Sequence, residues 1–145
     1  MQIDRFAPRS ADVFCRNHII VHIKVSCVHG NQTQRDKDRA RLDTILNYIR
    51  QNYKQHISIE EIANVAYLQS GYFCRFFKKC MGITFQEYQN ELRLSYIYQD
   101  ILSTDDSIKD ILERHGFTNY KLFRRMFFEH FEMTPTEVRK SRKNS

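Results

Sequence analysis

Arg75, Lys78 and Lys79 stand in a stretch, Ser70 to Lys79, that holds no acid, and Lys121, Arg124 and Arg125 form a second basic cluster further along. A guanidinium fork matches the O6 and N7 acceptors of guanine, and both cation types neutralise phosphates. Charge is sorted by segment, since Asp100 to Glu113 carries five acids against the single Lys109. Cys15, His18 and His22 are spaced three and four apart, with Cys27 and His29 following. On a helix the first three share a face, as metal ligands do; on a strand Cys15 points away from the histidines, and no metal site is assigned. Phe73, Phe76 and Phe77 have the side-chain chemistry to stack on unpaired bases, but their helical spacing directs them to a core. No histidine pairs with Cys74 in any catalytic pattern, and no glycine-rich phosphate loop is present. An enzyme is therefore not expected, nor is a cofactor.

The basic clusters sit in two copies of one unit. Ser58-Ile59-Glu60-Glu61-Ile62 returns as Ser107-Ile108-Lys109-Asp110-Ile111, an offset of 49, and Phe73-Cys74-Arg75-Phe76-Phe77 returns as Phe123-Arg124-Arg125-Met126-Phe127, an offset of 50. Thr84/Thr134 and Glu87/Glu137 keep the second offset, so the inserted residue falls in the turn. Each copy reads as helix, short turn, helix. Ser58 with Glu61 three residues on is a capping-box pattern. The second helix of the first copy is predicted over about Ser70 to Met81, with Phe73, Phe76, Phe77 and Cys80 inward and Gly71, Cys74, Arg75, Lys78 and Lys79 outward. Gly82 suits a left-handed stop. Thr84 caps a long helix from about Phe85 to Leu102 whose inner side holds Tyr88, Leu92, Ile97 and Ile101. After a break at Ser103–Asp106 the second copy follows, with its turn at Gly116-Phe117-Thr118 and its second helix from about Asn119 to Phe131.

The chain has 145 residues, 41% hydrophobic, with 11 Phe and 8 Tyr, enough for one domain with an appendage. Four Gly and two Pro leave little turn chemistry for a many-stranded fold, and a net charge of +6 favours an anionic partner. The four cysteines form no CxxC pair and read as reduced thiols of an intracellular protein. No run nears the ~18 apolar residues of a membrane span, and the start lacks a signal peptide's pattern. A soluble, cytoplasmic, nucleoid-associated protein is expected. From Ile19 to Cys27 β-branched residues alternate with period two, which suits a strand, while Ile19, Ile20, Ile23 and Cys27 would also share a helical face. Gly30 to Arg41 is polar and aperiodic and reads as a linker. Leu42, Ile45, Leu46, Ile49 and Tyr53 mark an amphipathic first helix.

The stretches ISIEEIA (57–63), SGYFCRFFKKCMGITFQEY (70–88), LRL (92–94), SIKDI (107–111), GF (116–117) and FFEHFEMTPTEVR (127–139) resemble the DNA-binding domain of the AraC/XylS family of bacterial transcription regulators. The resemblance covers residues 42–139. It implies an all-α fold of seven helices, in which two three-helix helix-turn-helix subdomains are joined by a long linker helix, bound to two adjacent major grooves of double-stranded DNA. It places Gly71, Cys74 and Arg75 of the first recognition helix, and Tyr120, Lys121, Arg124 and Arg125 of the second, toward the bases. Lys78, Lys79 and Arg93 fall to phosphates. RNA polymerase is the implied protein partner, and no membrane is. Residues 42–145 form the domain with its basic tail, and 1–41 an N-terminal segment and linker: either the chain is a stand-alone member of the family, or 1–41 is the remnant of a regulatory domain, which the apolar segment at 19–28 favours. The second copy departs from the family pattern. Leu112 stands for a small residue, His115 for an aliphatic, Val138 for an aromatic and Glu132 for glycine, while Phe128 and Glu129 replace the lysines. The rival reading is a truncated regulator acting as a protein-interaction module with weak, non-specific DNA binding.

Overall fold

The computed structural model describes residues 30–144, together with the backbone of residues 14–15 and 18–19. Those four residues form a short antiparallel ladder, β1 (Phe14–Cys15) with β2 (His18–Ile19). The described helices are seven: α1 (Gln32–Asn52), α2 (Ile59–Val65), α3 (Ser70–Met81), α4 (Phe85–Ser103), α5 (Ile108–Arg114), α6 (Tyr120–Phe131) and α7 (Pro135–Lys143). The chain divides into two compact units: the described part of one is residues 30–90, and those of the other are 91–144 with the ladder residues 14–15 and 18–19, so that a boundary falls inside α4. The rest of the alternating segment, and the side chains of the Cys15–His18–His22 cluster with Cys27 and His29, lie outside the described residues. Among the described residues no cluster of potential metal ligands occurs, and no helix is long and apolar enough to cross a membrane.

In the first unit, α2 begins where the Ser58 hydroxyl accepts from the Glu61 N–H at 3.1 Å, satisfying one of the donors a helix start leaves open. α2, with Ile62 and Ala63 buried, packs on α3, whose buried Phe73, Phe76 and Phe77, spaced three and four apart, turn one stripe inward. Phe77 packs edge-on against Phe85 and Tyr88, with ring centres 6.2 and 5.7 Å apart. Beneath them lie Leu42, Ile45, Leu46 and Ile49 of α1. The buried Gln89 amide donates to the Gln55 carbonyl at 2.9 Å and the Tyr53 carbonyl at 3.3 Å, which fixes the exit of α1 to α4.

The second unit repeats this wiring. Ser107 Oγ accepts from the Asp110 N–H at 3.1 Å. The two turns carry the same bond, Leu68 N–H to Ala63 carbonyl and Phe117 N–H to Leu112 carbonyl, both 2.9 Å. The two recognition helices close alike, Gly82 N–H to Lys78 carbonyl and Glu132 N–H to Phe128 carbonyl, both 2.8 Å. Thr84 with Glu87 and Thr134 with Glu137 each form a reciprocal capping pair, and the threonine N–H holds each glutamate's carboxyl below the usual range. The core here is Leu94, Ile97, Ile101, Phe123, Phe127 and Phe131 with their neighbours. His115, polar where an aliphatic was expected, is buried but compensated: its Nε2 lies 2.7 Å from Asp100 and its ring stacks on Tyr96. His130 of α6 meets Glu91 of α4 at 2.7 Å, and that hydrogen bond raises its pKa above the ordinary 6.5.

Three expectations change. The stretch read as a linker is helical from Gln32, ten positions before the first buried residue, Leu42. Asn31 caps it, and Gln32–Asp36 and Gln34–Asp38 bonds at 3.1 and 2.9 Å support it along its side. It carries no apolar stripe because, among the described residues, nothing covers it, not because it is irregular. Cys80 is disulfide-bonded and so departs from the reading of four reduced thiols; Cys74 is free and exposed. Left-handed backbone is shared evenly between the copies. Glu132 adopts it (φ 54°) where Gly82 does (φ 76°), and Tyr67 adopts it (φ 56°) where Gly116 does (φ 71°). Each copy thus holds one side chain where glycine is favoured. Glu132→Gly and Tyr67→Gly should each stabilise by about 1 kcal/mol, read as a shift in the urea midpoint at constant m. A loss of stability in either would mean that the side chain's own contacts outweigh the backbone cost.

Candidate nucleic-acid interface

With its phenylalanine stripe held inward, α3 presents Gly71, Cys74, Arg75, Lys78 and Lys79 to solvent, as the spacing predicted. A Cβ built on Gly71 would meet nothing within 4 Å, so this point of the surface is open. Arg75, Lys78 and Lys79 enter no ion pair among the described residues, which leaves their donors for an outside anion. Together with Cys74, Thr84 and Gln86 they line an open groove of about 520 Å³. Lys78 and Lys79 also lie in the last turn of α3, where the helix dipole is negative and favours cations.

On α6, Tyr120, Lys121, Arg124 and Arg125 are likewise exposed. The Arg124 guanidinium lies over the Tyr120 ring at 6.0 Å, and Arg125 Nε is 4.0 Å from Glu129, a contact between two well-exposed groups and so weakly held. These side chains line an open groove of about 390 Å³ with Phe128 and Pro135. Arg93 departs from the expectation. It is 9% exposed and buried within α4, where Leu92, Leu94 and Ser95 beside it are buried as well, so it does not join the solvent-facing cations. The basic tail is partly committed too: Arg142 donates to the Leu102 and Thr104 carbonyls at 2.9 and 3.0 Å and pairs with Asp105.

One residue of this surface is a large apolar one. Phe128 is 55% exposed on the same face as Arg124, four positions earlier.

A helix-turn-helix domain family matches residues 62–141, which takes in the second helix-turn-helix copy whole and most of the first. A crystal structure of a transcriptional regulator from Chromobacterium violaceum, described by its AraC-type DNA-binding domain, superposes with a TM-score of 0.66 at 27% identity, over 74% of this chain and 96% of that one. The chain belongs to the AraC-type helix-turn-helix family. Two further similarities cover about two thirds or more of the chain. The lactose operon transcription activator of Staphylococcus xylosus is 30% identical over 94 residues, 65% of this chain and 34% of that protein. The DNA-binding domain of AdpA, solved in complex with a target DNA, shares the fold at 18% identity and a TM-score of 0.65, over 72% of this chain and 94% of that one. The chain spans about a third of the length of the curated relative it matches from S. xylosus.

Proposed function

We propose that this AraC-type domain is a sequence-specific, double-stranded DNA-binding transcription regulator of the cytoplasm. In this reading α3 and α6 each enter a major groove and each reads one part of a two-part site. The supporting observation is that two copies of one hydrogen-bonded frame hold an exposed cationic arc at the same place, on the helix that follows the turn. Arg75, Lys121, Arg124 and Arg125 supply the base-edge donors, with Gly71, Cys74 and Tyr120 beside them, and Lys78 and Lys79 grip phosphates. Regulation follows from standing beside RNA polymerase or in its way. No catalytic step is assigned to it.

The test is selection of bound duplexes from a random pool, followed by mutant binding at one fixed salt. Arg75 is the sole strong donor on the base-facing part of α3, since Gly71 offers nothing and a thiol donates weakly. Arg75→Ala should cost about 1–3 kcal/mol at the selected site and relax one or two base positions in one half. Lys78→Ala should weaken selected and scrambled duplexes alike. Equal weakening by Arg75→Ala on both duplexes would make Arg75 a phosphate contact and overturn the assigned reading face. If no sequence is enriched at all, the non-specific interaction module becomes the better account.

A further inference from the structure

Phe128 leaves more than half of its surface in water beside the base-facing cations of α6, at the C-terminal end of their row. Residues three, four, seven and eight positions apart share a helix face, which places Arg125, Arg124, Lys121 and Tyr120 on its face. In the first copy the same position is Lys78, and the next is Lys79; here they are Phe128 and Glu129. A phenyl ring has nothing to offer a phosphate, and Glu129 repels one. This end of α6 has therefore exchanged a backbone grip for an apolar contact, while the three cations beside it still draw in a polyanion. The one apolar group that any base edge presents in the major groove is the 5-methyl of thymine.

We propose that Phe128 is a specificity-determining residue that packs on a thymine methyl in the part of the site read by α6. The proposal rests on the DNA-reading function assigned above. It makes the two copies chemically unlike readers. The α3 copy combines one arginine with two phosphate lysines, and the α6 copy combines shared cationic donors with an apolar contact.

Deoxyuridine differs from thymidine only by that methyl, so it isolates the contact. Duplexes selected by the full chain are remade with deoxyuridine for each thymine in turn, in the half whose bases relax in Arg124→Ala. At one or two positions the replacement should weaken binding of the unmodified chain about fourfold, the worth of one buried methyl. Phe128→Ala should weaken the thymine duplex by a similar factor and be indifferent to the replacement. The side chain is exposed, so this variant should melt as the parent does. Phe128→Lys should also lose the thymine preference, while its salt dependence steepens by about one phosphate contact. The proposal is overturned if that half holds no thymine, if no replacement matters, or if replacement weakens Phe128→Ala as much as the parent. Failure to select any sequence would instead remove the DNA-reading function and this proposal with it.

Discussion

Raising salt from 50 to 200 mM should weaken binding to the selected duplex about a thousandfold, because some six cations displace counterions from the duplex. The six are Arg75, Lys78, Lys79, Lys121, Arg124 and Arg125, all exposed and none in a close ion pair among the described residues. Arg93 is not among them, since it is buried. The logarithm of affinity should fall linearly with the logarithm of salt, with a slope near −5. Removing any one of the six should make that slope shallower by about one unit, whether its partner is a base or a phosphate. A titration by fluorescence anisotropy reads both quantities. A flat response would remove the electrostatic basis of the interface altogether.

Truncating the ring that holds either recognition helix in place should be the most damaging single change to stability. Phe77 and Phe127 stand at equivalent positions, and both are fully buried. Phe77 meets Phe73, Phe85 and Tyr88; Phe127 meets Phe123, Phe131 and Tyr98, with the Phe131 ring centre 4.6 Å away. Phe→Ala in such a core costs about 3–5 kcal/mol, a large part of the 5–15 kcal/mol that a domain commands. Urea unfolding measures the loss. Because each unit has a core of its own, Phe77→Ala should erase preference at the bases read by α3 and spare those read by α6, and Phe127→Ala should do the reverse. Loss of both halves together in either variant would show that the cores are energetically one.

The sequence carried most of this architecture because its apolar residues mark phase. Phe73, Phe76, Phe77 and Cys80 set the rotation of α3, Gly82 ended it, and the observed Ser70–Met81 follows the expectation. The outward positions of the interface came with that phase at no further assumption. The N-terminal half of α1 carried no such mark, since an uncovered helix needs no stripe and its supports are polar pairs between neighbours. Arg93 was misplaced for the opposite reason. A single inner stripe was read for α4, but Leu92, Arg93, Leu94 and Ser95 are buried in succession, and burial on several sides leaves no periodic trace. Nothing in a tyrosine announces the left-handed backbone of the first turn, whereas Gly116 does in the second.

The continuity of α1 bears on whatever lies upstream of it. A tether conveys only proximity, but a helix also conveys angle. Each residue added between Asn31 and Leu42 would turn the upstream chain by about 100° and push it about 1.5 Å outward, and only additions near a whole turn restore its bearing. With the far end of α1 pinned through Gln89, the start of the helix at Gln32 and the first unit share one rotational frame, so a twist applied at that start is delivered to the unit and is not absorbed between them.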